Sequence, residues 1–352
     1  MAETEMFLYQ IARQYYQTFP GDNIGILISD KNADLFNNEA TDFAPIILRH
    51  HDSPVLNNLL TRKRMVSKIL EFQPDVIITT YPAKGLEQIP QILLISPQSE
   101  ALLRNQKTIQ TKQKEALAKY IDLCKITIVF SELEKQFIAI NFPGRNEKIR
   151  VVHRIVSYGN KPLSYNDKQK IKEQFTNGNE YFLVAPEDDE RILVNVLKGF
   201  SGFKKWQRSS MKLILTARDE DEKNKLIQLV STYRFRDEII IIIASDHSDF
   251  FKLIASAYLV LLPNKYNSNF SMAIKTLEAS IPLMIAENSI YTEVLEDAAF
   301  VFRFQNKDDI TRVFLESFRD ETQRMKIINQ SEEIKKSLSS KNFFSQLRDI
   351  IV

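Results

Sequence analysis

The chain is short of glycine: it has 8 in 352 residues, and none after Gly202. Average usage of about 7% would give roughly 25. Glycine lets a backbone come close to a phosphate or turn through positive φ, so an ordinary glycine-rich phosphate loop is excluded from everything beyond that position. Cysteine is nearly absent as well. The single Cys124 lies beside Leu123 and Ile126 and has no partner for an internal disulfide, which fits a reducing compartment. There is no excess of either charge: 47 Lys and Arg face 45 Asp and Glu, interspersed, so no basic field points to nucleic acid. No run approaches 18 apolar residues, and Met1 to Gln10 has acids where a signal peptide has lysines. Neither a membrane span nor secretion is expected, and the cytoplasm is the default location.

What is present is a recurring apolar punctuation. Short β-branched runs fall at Ile24 to Ser29, Pro45 to Leu48, Val76 to Thr79, Ile92 to Ile95, Ile126 to Phe130 and Ile149 to Val152, with helical periodicity between them. Apolar residues on both faces of a strand, alternating with helices, mark a parallel sheet covered on both sides. The alternation restarts after the polar stretch Gly159 to Glu180. Its runs are Tyr181 to Ala185, Met211 to Thr216, Ile239 to Ala244, Tyr258 to Leu262, Pro282 to Ala286 and Phe300 to Phe304. This is an α/β chain of two doubly wound, Rossmann-like domains. The expected division is 1–158, 159–335, and a C-terminal helix 336–352 that could cross back to the first domain. Ile239 to Ile243 reads as a central buried strand, with Arg236, Asp237 and Glu238 as gatekeepers before it. Met6, Phe7, Ile11, Tyr15 and Phe19 give the first helix a core-facing stripe.

Four stretches together resemble the nucleotide-sugar glycosyltransferases of the GT-B fold, specifically the retaining "group 1", family 4-like proteins. Tyr181 to Lys205 is similar to that family's strand, phosphate-binding turn and helix. Tyr258 to Ile285 is similar to its donor segment, in which Glu-Gly-Phe-Gly opens a helix bearing a second glutamate. Ser289 to Phe302 resembles the Ser-x-x-Pro-Glu-Val run. Ile126 to Val156 resembles the strands that lead out of the first domain. The resemblance implies two Rossmann-like domains with a deep cleft between them. It implies transfer of a hexose from a nucleotide-sugar donor to a polysaccharide or glycoconjugate acceptor, with no metal and no cofactor beyond the nucleotide sugar as substrate. Glu5 to Phe19 already resembles the helix that follows the family's opening strand and glycine-rich turn, which leaves two alternatives, a truncated start or an upstream start that adds them.

Carried over position by position, the motifs are degenerate. Where the family has Arg-Lys-Asn, this chain has Glu190, Arg191 and Ile192. Arg191 could reach a phosphate, while Glu190 sets a carboxylate where an anion should bind, a repulsion of about 4 kcal/mol at 4 Å and an effective dielectric near 20. Ser268, Asn269, Phe270 and Ser271 replace Glu-Gly-Phe-Gly, and the second glutamate falls on Thr276, with Glu278 half a turn further. Ser271 could offer its backbone N–H to a phosphate, and Ser268 and Asn269 could hydrogen-bond a sugar or ribose hydroxyl. Ser96 stands where the family's cleft histidine would be. The donor candidates are therefore Arg191, Ser268, Asn269, Ser271 and Thr276, with Ser96 and Glu190 in the cleft and no catalytic residue assigned.

The remaining clusters read as structure. His50, His51 and Asp52 lack a third ligand at metal spacing, and Asp219, Glu220 and Asp221 read as acids of a first helical turn. Two functional classes stay open: a working transferase, and a catalytically inert GT-B relative that serves as a binding or regulatory partner, perhaps of an active transferase.

Overall fold

The computed structural model describes residues 2–29, 45–48, 54–95, 111–153, 159–187, 189–243, 247–263, 271–337 and 340–351. Among them the chain divides into two compact units, Met1–His153 with Ser340–Val352, and Arg154–Ser339.

The first unit holds β1 (Ile26–Ser29) paired in parallel with β2 (Pro45–Leu48), and a parallel sheet in the order β3 (Ile77–Thr79), β4 (Gln91–Leu94), β5 (Ile126–Val129), β6 (Ile149–Val151). Its helices are α1 (Ala2–Thr18), α2 (Pro54–Phe72), α3 (Thr111–Leu123), α4 (Glu132–Asn141) and the C-terminal α13 (Ser340–Ile351). The sequence sets these boundaries locally. Ser131 accepts the N–H of Glu134 at 3.1 Å, and the Glu134 carboxylate takes the N–H of Phe130 at 2.7 Å, so α4 opens on a reciprocal cap. Gln91 is buried. Its amide both accepts from the N–H and donates to the carbonyl of Ala83, each at 2.9 Å, which fastens the loop after β3 as another strand would. The apolar faces of β4, β5 and β6 close with Leu117, Ile121, Ile138 and Phe142 into one core.

The second unit is a six-stranded parallel sheet in the order β12, β11, β10, β7, β8, β9, in which β7 is Tyr181–Val184, β8 Lys212–Ala217, β9 Ile239–Ile243, β10 Leu259–Leu262, β11 Leu283–Ala286 and β12 Ala299–Phe302. Its helices are α5 (Tyr165–Thr176), α6 (Glu190–Gln207), α7 (Glu220–Val230), α8 (His247–Ser256), α9 (Ser271–Glu278), α10 (Thr292–Leu295), α11 (Lys307–Arg319) and α12 (Glu321–Ser337). The twelve strands among the described residues lie within the apolar runs of the sequence or one residue from them. Phe182 anchors the core, stacked on Phe314 at 4.7 Å between ring centroids and edge-on to Phe203 at 5.2 Å. Two of the scarce glycines serve this core rather than a ligand. A Cβ on Gly199 would overlap Ile310, and one on Gly202 would overlap Thr311, so α6 and α11 approach closely through glycine.

One expectation is corrected. Ile239–Ile243 is not a central strand: among the described residues it pairs only with β8, and each isoleucine is half-buried. The run of isoleucines reports that both faces are covered. Ile239, Ile241 and Ile243 pack on the core and α7 lies against the strand. Face coverage says nothing about neighbours in the hydrogen-bonding direction, and an edge strand satisfies it equally well. Among the expected gatekeepers, Glu238 has a structural task. It pairs with Lys212 at 2.7 Å and lies 3.6 Å from the buried Lys204, whose Nζ donates to the carbonyls of Ser209 and Met211.

Candidate donor site

In the second sheet the chain runs outward from β7 to β8 and β9, then returns to the other side of β7 as β10. The strand order therefore reverses between β7 and β10, and α/β sheets bind ligands outside the carboxyl ends of strands at such a reversal. Two helices start there, α6 after β7 and α9 after β10.

At the head of α6, Asp189 is the N-cap. Its Oδ1 accepts the backbone N–H of Arg191 at 2.9 Å and Nε of Arg191 at 3.0 Å, while Oδ2 accepts Nη2 at 2.6 Å. The Arg191 guanidinium holds the Asp189 carboxyl below its usual range, and Asp189 in turn raises Arg191. Glu187 Oε1 accepts the N–H of Asp189 at 2.9 Å. Glu190 is exposed, and the carboxylate that engages Arg191 is Asp189. A side chain at the N-cap reaches the first free N–H groups of a helix, whereas one at the first helical position points away from them.

At α9, Ser271 is the first helical residue and half-buried. Thr276 is fully buried and its hydroxyl donates to the Met272 carbonyl at 2.7 Å, so it is committed to its own helix. Glu278, 4% exposed, accepts from the Gly159 N–H at 3.1 Å and from Nδ2 of Asn160 at 2.8 Å. Beside it, burial lowers the Lys275 ammonium below its ordinary range, with Glu278 opposing the shift. Ser96, Ser268 and Asn269, and with them His50, His51 and Asp52, lie outside the described residues. Of the candidates, then, Arg191 and Glu190 share the head of α6, Ser271 opens α9, and Thr276 is turned inward. Asp219 caps α7 by accepting the Glu222 N–H at 2.8 Å, with Glu220 and Asp221 in the first turn, the structural role expected of them. Among the described residues no group of three or more His, Cys, Asp or Glu side chains could hold a metal ion, and no helix is long and apolar enough to cross a membrane.

The sequence reads Asp189 as one of the acids Glu187, Asp188, Asp189 and Glu190 that favour a helix start, and the structure makes it the N-cap; its pairing with Arg191 is the part that reading lacks. The link from Glu278 to Gly159 and Asn160 spans 119 and 118 positions and left no local trace.

The fold is that of the GT-B glycosyltransferases, matched over nearly the whole chain. HepE of Anabaena, solved in complex with UDP and glucose, is similar with a TM-score of 0.75 at 13% identity, covering 99% of this chain and 95% of that one. A glycosyltransferase of Rickettsia africae is similar at 0.76 and 14% identity, covering 99% and 93%. WaaG, a glycosyltransferase of lipopolysaccharide biosynthesis, is similar at 0.69 and 12% identity, covering 98% and 95%. No protein-family model matches the chain, and no curated protein sequence does.

Proposed function

We propose that this chain is a glycosyltransferase that moves a sugar, a hexose in the first instance, from a nucleotide-sugar donor to a polysaccharide or glycoconjugate acceptor. The observation that carries the reading is a fold shared from end to end with glycosyltransferases, one of them holding UDP and glucose, in a chain whose second sheet has its strand reversal at the heads of α6 and α9. The chemistry such a site supports is charge stabilisation as the nucleoside diphosphate departs, supplied by helix N-termini and a cation. Arg191 is the cation placed for it, with the backbone of Ser271 on the neighbouring helix as a second donor. In this reading the reaction proceeds with retention at the sugar, without a metal, in the cytoplasm.

The test is calorimetric titration with UDP, GDP and their sugars, followed by a donor-hydrolysis assay. Micromolar binding of a sugar nucleotide with slow release of free sugar supports the transferase. Absence of heat up to millimolar nucleotide overturns it and leaves the shell as a binding partner of another protein.

A further inference from the structure

The head of α6 already holds an anion, and it belongs to the chain. Asp189 takes a backbone N–H at the start of the helix and both arms of the Arg191 fork, which are donors that a phosphate oxygen would use at the same place. The arrangement is easily reversed on one side only. The Arg191 side chain is 87% exposed and can swing without burying or uncovering apolar surface, whereas Asp189 is 34% exposed and held by its cap. Charge sets the cost of the exchange, because an arriving phosphate meets net negative charge until Arg191 turns to it. Glu187 and Glu190 flank the pair, so the described residues at this helix start carry three carboxylates against one guanidinium.

Resting on the nucleotide-sugar reading, we propose that Asp189 is a specificity-determining residue, a resident carboxylate that a nucleoside diphosphate must displace from Arg191 before its phosphates are held at α6. The position of α6 at the strand reversal ties this displacement to ligand entry, because the contact that has to break lies at the crevice itself.

Two variants remove the charge and keep the cap: Asp189→Asn and Asp189→Ser, since asparagine and serine both cap helices well. The probe is inorganic pyrophosphate, titrated by calorimetry into the full chain, with circular dichroism confirming that each variant is folded. Both variants are expected to bind pyrophosphate about tenfold tighter than the unsubstituted chain, the effect of freeing one guanidinium and removing one carboxylate charge. The gain should vanish when Arg191→Gln is added. An affinity that is unchanged, or weaker, in either variant overturns the proposal, as does a gain that survives Arg191→Gln. The donor reading fails separately. If both variants gain pyrophosphate affinity while no sugar nucleotide binds any form, the competition of Asp189 with an anion for Arg191 stands, and the transferase reading falls together with the nucleotide as the displacing ligand. If a sugar nucleotide binds the unsubstituted chain and the variants equally well, the transferase reading stands and the displacement falls.

Discussion

Asp22 accepts a hydrogen bond from Nη2 of Arg348 at 3.2 Å, joining positions 326 apart in the sequence. The same carboxylate takes the Tyr15 hydroxyl at 2.9 Å. The Arg348 guanidinium lies over the Phe19 ring at 4.4 Å, and Phe344 meets Tyr15 edge-on at 5.9 Å. The helix that ends the chain is thereby packed on the helix that begins it, with apolar rings beneath and one charged pair at the rim.

Arg348→Ala is expected to lower the stability of the first unit by about 1–2 kcal/mol, the sum of a modest cation–π contact and a partly exposed ion pair. Denaturant unfolding followed by far-UV circular dichroism measures it. An unchanged midpoint would show that Phe343 and Phe344 hold α13 unaided.

The Tyr15 phenol is pushed up to about 12, first by burial and then by its bond to Asp22. In the unfolded chain it ionises near 10. Between those values the unfolded state holds fewer protons than the folded one, so stability is complete below pH 10 and falls as pH rises towards 12. Tyr15→Phe should flatten that part of the stability profile, measured as urea midpoints at pH 9, 10 and 11. An equally steep fall in the variant would assign the alkaline loss to other groups.

Gly199 and Gly202 are expected to behave differently when changed to alanine. Either change gains helix propensity worth up to about 1 kcal/mol. At Gly199 the new methyl meets Ile310, which is fully buried and cannot turn away, so a net loss of about 1–2 kcal/mol is expected. At Gly202 it meets Thr311, whose hydroxyl is bonded to the Gly199 and Lys307 carbonyls but whose side chain is half-exposed and can shift outward, so a smaller loss than at Gly199 is expected. Thermal unfolding of the two variants side by side checks the order. A more damaging Gly202→Ala would reverse the assignment.

Lys204→Met should cost about 2–4 kcal/mol, because it strips the carbonyls of Ser209 and Met211 of a buried donor and leaves Glu238 with Lys212 alone. Burial by itself would raise the Glu238 carboxyl, but Lys212 and Lys204 together outweigh it and hold the group below its usual range. This stabilisation is present above the ordinary carboxylate pKa near 4.5 and is lost as pH falls through the lower folded value. Glu238→Gln should therefore weaken the second unit at pH 7 and matter progressively less as pH falls below the ordinary carboxylate value. An effect that does not shrink as the pH is lowered would sink the ion-pair account.

The architecture was open to reading because strand positions depend on local hydrophobic runs, and the runs around Tyr181, Leu213, Val260 and Leu283 are unambiguous. Order across the sheet is not local: five isoleucines in a row read as a centre, and among the described residues β9 is an edge that pairs only with β8. The site was legible only in part. Arg191 is legible through the resemblance of positions 190–192 to the Arg-Lys-Asn triplet, but the choice between Asp189 and Glu190 as its partner depends on which of two adjacent side chains points back over the helix end. Thr276 and Glu278 were ambiguous for a related reason: two residues apart on one helix, they face different surroundings, and those surroundings come from Met272 on the same helix and from Gly159 and Asn160 more than a hundred positions away.

The scarcity of glycine ends in a mechanical property of α6. Its tail is moored by Lys204 to the carbonyls ahead of β8, and its flank is pressed against α11 where Gly199 and Gly202 leave no slack. A rod held at one end and along one side cannot slide or tilt towards an arriving anion. Adjustment at its free end is left to rotamers, those of Arg191 and Glu190 above all, so this part of the protein should answer a ligand in nanoseconds and without any rearrangement of the backbone.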